Sequence, residues 1–169
     1  MKKALFSALI AASLGLSGCG YKLGEIRPTP MRSVRKLSVT NFKNNSYEPR
    51  LEVLFADTLV KRLQQDGTYQ IVNSNQADAI LTCTITKIDN SAFRSVQNNV
   101  LATSEFGITA FIDYEITDQT TGAVLMRGKT TGRSSYFSGN DLNTTQRQAL
   151  SNVAADAANN LAGIVTEGW

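Results

Sequence analysis

The thiols of Cys19 and Cys83 are the most nucleophilic side chains of this 169-residue chain, which contains no histidine. Without an imidazole it lacks the commonest general base and the commonest metal ligand. Cys19 follows the apolar Leu16 and the small Ser17 and Gly18, and its thiol is the nucleophile that a lipid transferase needs. Cys83 lies between Leu81 and Ile85 in an alternating stretch. It is expected to be a buried, unreactive thiol, since free cysteine is among the most buried residue types. Gly122, Gly128 and Gly132 have no helix directly after them, so no phosphate-cradling loop is expected. Asp113 and Glu115 share a strand face and read as surface charges rather than as an acid–base pair. No catalytic residue, metal site or cofactor is expected, and the work of the chain is expected to be done by contact.

The surroundings of Cys19 sharpen its chemistry. Lys2 and Lys3 precede an uncharged, mostly apolar stretch over residues 4–16. That length suits the hydrophobic region of a signal peptide and is well short of the ~20 residues that span a bilayer. The Leu16-Ser17-Gly18-Cys19 run resembles the bacterial lipobox, in which the cysteine becomes the first mature residue and carries lipid. Residues 1–18 are therefore expected to be a lipoprotein signal peptide and Cys19 the lipidation site. Each buried methylene contributes ~0.8 kcal/mol, and several acyl chains together make a stable anchor. The 17 Lys and Arg against 14 Asp and Glu include Lys2 and Lys3, so the mature chain is close to neutral. Nucleic acid is not an expected partner, because that would want a strong basic excess. No other apolar run is long enough to cross a membrane.

Residues 19–36 read as a lipidated N-terminus and tether, with Gly20, Gly24, Pro28 and Pro30 among scattered charges. Arg27, Arg32, Arg35 and Lys36 crowd this segment, either as a solvated tether or as neighbours of anionic headgroups. Residues 37–169 are expected to form a single α+β domain: two helices packed on one face of a mostly antiparallel, mixed sheet of four to five strands. A short strand is expected over residues 37–42. Pro49 suits the first position of a helix, and Leu51, Leu54, Phe55, Leu59 and Leu63 give that helix one apolar stripe ending at Gly67. Residues 79–89 form an Ile- and Thr-rich strand with Leu81, Cys83 and Ile85 on one face, and residues 90–104 read as a long polar connection. The clearest alternation runs from Glu105 to Thr117, with Phe106, Ile108, Ala110, Ile112, Tyr114 and Ile116 on one side. A turn over 118–122 leads to a strand over 123–133. Pairing Thr117 with Ala123 sets Asp113 opposite Arg127 and Phe111 opposite Lys129. Asn143 and Gln146 resemble a capping box for a final helix, whose stripe is Leu150, Val153, Ala154, Ala157, Leu161, Ile164 and Val165.

Several runs, in order, resemble the lipopolysaccharide-assembly lipoprotein family LptE. They are Cys19-Gly20-Tyr21-Lys22-Leu23, Val39-Thr40-Asn41-Phe42-Lys43-Asn44, Leu51-Glu52, Ala77-Asp78-Ala79-Ile80-Leu81, the stretch 118–125, and the C-terminal Ile164-Val165-Thr166-Glu167-Gly168-Trp169. The resemblance implies a lipid-anchored outer-membrane protein facing the periplasm. Such a protein binds the β-barrel lipopolysaccharide translocon, serves its assembly, and can bind lipopolysaccharide. Gly20 rather than Asp follows Cys19, so nothing marks inner-membrane retention. A competing outline is that of outer-membrane lipoproteins that activate peptidoglycan synthases, or of the curli-secretion type. These also carry an Ala-Asp-Ala-Ile-Leu-like strand after a helix.

Two sets of contact residues follow. Arg127, Lys129 and Arg133 share a strand face by parity and are candidates for binding the phosphates and acidic sugars of lipopolysaccharide. The plainer account is an exposed ion pair and a charged sheet edge. Phe93, Val96, Val100 and Leu101, set among polar residues of the 90–104 stretch, are candidates for contact with the partner. A merely flexible connection is the plainer account there.

Overall fold

Side-chain alternation along one long strand decides the architecture. The computed structural model describes residues 27–96, 99–137 and 142–168, with side chains 93–104 and 138–143 outside the description. Strand β4 (Ala79–Val96) and strand β5 (Asn99–Asp118) form one long antiparallel hairpin, and β6 (Val124–Phe137) pairs antiparallel on the far side of β5. Three short strands complete the sheet: β1 (Lys36–Val39), β2 (Lys43–Asn44) and β3 (Gln70–Ile71). All three join in parallel fashion, β1 and β2 on β4 and β3 on β1, so the mixed sheet has six strands in place of four to five.

Helix α1 (Glu52–Asp66) and helix α2 (Leu142–Glu167) pack on each other and on one face of this sheet. The α1 stripe buries Phe55, Leu59 and Leu63, and α2 buries Val153, Ala154, Ala157, Leu161 and Val165. They meet Leu81, Cys83 and Ile85 of β4 and Ile108, Ala110, Ile112 and Ile116 of β5, as the periodicities predict. Close approach comes from small residues. A Cβ built on Gly132 would lie 2.2 Å from the Val153 carbonyl oxygen and 2.6 Å from Ala157 Cβ, so only glycine lets α2 seat on β6.

Several expectations are corrected. The 90–104 stretch is not a loop: β4 runs to Val96 and β5 begins at Asn99. Its polar residues gave no apolar alternation, but cross-strand pairing satisfies the backbone there. The β5–β6 register differs by two residues. Ile116 pairs with Met126, Glu115 with Arg127 and Asp113 with Lys129. The cause is a wider turn in which Asp118 N–H donates to the Ala123 carbonyl (2.8 Å) and Gly122 sits at φ +70°, followed by an irregular step at Thr117–Val124. A shift of two preserves parity, so each residue keeps its predicted face.

Pro49 precedes α1 rather than opening it. Arg50 adopts φ +63°, a left-handed conformation that no α-helix continues through, and the helix begins at Glu52. Its other end closes as read, with Gly67 at φ +76° and its N–H on the Leu63 carbonyl. Helix α2 starts at Leu142, one residue before Asn143, so Asn143 lies inside the helix rather than ahead of it.

The packed chain also begins before residue 37. Met31 and Val34 are fully buried, and the Arg27 guanidinium donates to the Val34 carbonyl (2.7 Å) while lying 5.8 Å over the Tyr69 ring. Tyr69 in turn donates to the Val165 carbonyl of α2 (2.9 Å). Asp78 fixes the start of β1, its carboxylate accepting the N–H groups of both Arg35 and Lys36 at 2.8 Å. The Cys19 position lies outside the described residues.

Candidate functional site

The helices cover one face of the sheet; the other is the candidate site. Strand parity puts Arg127, Lys129 and Arg133 of β6 on this uncovered face, all exposed, as the sequence predicts. Asp113 and Glu115 lie beside them on β5, and Thr82 and Thr84 follow on β4. Lys43 of β2 reaches the same shallow groove, which holds about 530 Å³ between β2 and β6.

The ion pairing differs from the expected Asp113–Arg127 pair. Lys129 Nζ lies 3.6 Å from the Asp113 carboxylate, and Arg127 stands across from Glu115. Both partners of the Lys129–Asp113 pair are wet, so it contributes ~0–1 kcal/mol and leaves Lys129 available to an incoming anion. Arg133 is held by its backbone rather than its charge: its N–H donates to the Asp156 carboxylate of α2 (2.8 Å).

A neighbouring hollow adds an apolar component. It is lined by Thr86, Lys87, Phe111, Asp113, Lys129 and Thr131 among others. Phe111 is 38% exposed, and Lys87 Nζ stands 6.0 Å from its ring centroid while also pairing with Asp89 at 2.8 Å. Two cations here escaped the sequence reading. Lys43 sits in a two-residue strand that no periodicity can register. Lys87 would fall on the helix side if the Leu81-Cys83-Ile85 alternation continued. A bulge between Ile85 and Lys87 reverses the parity and delivers it to the open face opposite Phe111.

Cys83 behaves as its surroundings dictate: it is fully buried, and burial pushes its thiol up to about 12. Among the described residues no group of three or more Cys, Asp or Glu side chains could hold a metal, and no helix is long and apolar enough to cross a membrane. Phe93, Val96, Val100 and Leu101 lie on the far part of the β4–β5 hairpin, with their side chains outside the description.

The lipopolysaccharide-assembly family model matches residues 34–162. The chain belongs to the LptE family. The family is one of outer-membrane-associated, non-catalytic lipoproteins concerned with lipopolysaccharide assembly. The family match runs from Val34, just ahead of β1, to residue 162 in α2, so it takes in every strand of the open face. Solved structures share the fold at low identity. A protein from Xanthomonas campestris aligns with TM-score 0.55 at 12% identity over 77% of this chain and 82% of its own. A minor lipoprotein from Acinetobacter baumannii aligns with TM-score 0.52 at 17% identity over 78% and 92%. A candidate lipoprotein from Caulobacter crescentus gives TM-score 0.51 at 19% identity over 74% and 87%. No curated protein matches the chain in sequence.

Proposed function

We propose that this LptE-family protein works by contact: anchored to the outer membrane by lipid on Cys19, it binds the β-barrel lipopolysaccharide translocon and assists its assembly. Through that complex it assists insertion of lipopolysaccharide into the outer leaflet. The observation that carries the reading is the one-sided cover of the sheet. A six-stranded sheet with one face under two helices leaves the other face, rich in Lys, Arg and Thr, for a ligand or partner. Lipopolysaccharide phosphates and acidic sugars match that chemistry, with Arg127, Lys129 and Arg133 as the anion contacts and Lys43 and Lys87 as additions. Phe111 supplies an apolar platform beside them. The far part of the β4–β5 hairpin, with Phe93, Val96, Val100 and Leu101, is assigned to the barrel.

Photo-crosslinking residues at Phe93 or Leu101 should capture the barrel in intact cells. Depletion should lower the amount of assembled translocon and sensitise cells to large hydrophobic antibiotics. Capture of a peptidoglycan synthase instead, or unchanged lipopolysaccharide export on depletion, defeats the reading. For the ligand, Arg127→Glu with Lys129→Glu should weaken lipopolysaccharide binding while the fold persists; unchanged binding removes these residues from the site. For the anchor, Cys19→Ser should release the protein from membranes when its partner is absent, and quantitative retention there excludes lipid on Cys19.

A further inference from the structure

On the helical side, a second surface lies where α1 begins and meets the early turns of α2. Pro49, Leu51, Leu54 and Leu150 line a groove of about 600 Å³ there, with Arg50 and Arg147 also in its lining. Among the described residues neither guanidinium has an ion-pair or hydrogen-bond partner. The loop leading into the groove is braced by its own polar groups. Asn44 donates to the Glu48 carbonyl (2.7 Å) and accepts from both the backbone N–H and the hydroxyl of Ser46. This brace holds Tyr47 entirely in solvent, at 107% relative exposure, beside a helix that also presents Val53 at 61%.

We propose that this groove docks an extended segment of a partner protein that carries carboxylates between apolar side chains. Arginines at an apolar floor, with an exposed tyrosine on the loop leading to it, are residue types enriched among those that dominate protein–protein contact energies. A loop fixed in advance lowers the ordering cost of binding. Two unpaired guanidiniums specify an anion, and planar carboxylates are their natural bidentate partners. Glu48 also lines the groove, its carboxylate receiving a hydrogen bond from Gln146 (3.4 Å). That fixed negative charge penalises a dianionic phosphate monoester more than a single carboxylate. The groove is open and shallow, so it accepts a peptide's side chains but does not enclose acyl chains. It is separate from the open sheet face and its binding does not depend on that face.

The test uses the full mature chain and a random peptide library displayed on phage. Selected peptides should be enriched in Asp and Glu next to Leu, Ile or Phe, and should bind more weakly as salt rises. Arg147→Glu should lower the affinity of a selected peptide about tenfold or more, and Tyr47→Ala should lower it as well. Circular dichroism should report an unchanged fold for both variants. Arg127→Glu with Lys129→Glu should leave peptide binding untouched. A photo-crosslinker at Val53 in intact membranes should map to an acid-bearing segment of another protein. Peptides that lack acidic residues, affinity indifferent to Arg147→Glu, or a crosslink to lipid or to the chain's own residues 19–26 would each overturn the proposal.

Discussion

The two faces of the β5–β6 hairpin are made by alternate residues of the same strands, yet they obey different rules. On the helix side Ile108, Ala110, Ile112 and Ile116 are within 1% of complete burial, and Gly132 exists to let α2 approach. On the open side Phe111, Asp113, Arg127 and Lys129 meet solvent, groove or each other through contacts that cost little to break. The first face sets whether the chain folds and the second what it touches. Function on the open face is therefore free to vary without loss of the fold, whereas the covered face tolerates little change in volume.

The largest expected effect comes from the covered face. Gly132→Ala puts a Cβ into the backbone of α2 at Val153 and Ala157, which cannot yield as a flexible side chain would. It should cost about 3 kcal/mol, near the upper range of overpacking, read as a lower urea midpoint with an unchanged slope. Ile112→Ala, which empties a fully buried position over Phe55, Leu59 and the α2 alanines, should cost ~2–5 kcal/mol. A small loss at either position would mean that α2 is loosely seated and that the two faces do not differ as described.

A middle-sized effect tests the sheet margin. Asn160 donates to the Thr131 carbonyl (2.9 Å) and Asp156 accepts the Arg133 N–H, so side chains of α2 occupy backbone groups of β6. Asp156→Ala with Asn160→Ala should cost ~1–3 kcal/mol, about one hydrogen bond each. It should also raise self-association, because an unblocked edge strand templates pairing. Light scattering of the double variant compared with the parent decides this.

Cys83 gives a pH-dependent comparison. Burial favours the neutral thiol, so the folded pKa of about 12 lies above the ordinary 9.0. The stability tied to that proton is complete below about pH 9 and is lost as pH rises toward 12. Native protein should resist maleimide at neutral pH, and Cys83→Ser should flatten the alkaline limb of its stability curve. Rapid labelling of native protein would show that the covered face opens. The smallest effect belongs to the open face: a double-mutant cycle on Asp113 and Lys129 should return ~0–1 kcal/mol of coupling, shrinking with salt.

The sequence by itself determined whatever local periodicity encodes. It placed the α1 and α2 stripes, the Leu81-Cys83-Ile85 face, the β5 alternation, the Gly67 cap and the shared face of Arg127, Lys129 and Arg133, because side chains repeat at 3.6 and 2 residues whatever their neighbours. Tertiary structure alone decided the rest. The polar hairpin beyond Asp89 is ordered by cross-strand hydrogen bonds, which leave no mark on side-chain hydropathy. The bulge after Ile85 reverses parity and carries Lys87 to the open face, and Lys43 reaches that face through two residues paired to β4 across a long gap in sequence. Arg27, Met31 and Val34 read as tether because their partners, Tyr69 and the core, are distant in the chain. For Lys43, Lys87, Arg27, Met31 and Val34 the deciding contact is distant in the chain, and such a contact has no period to read.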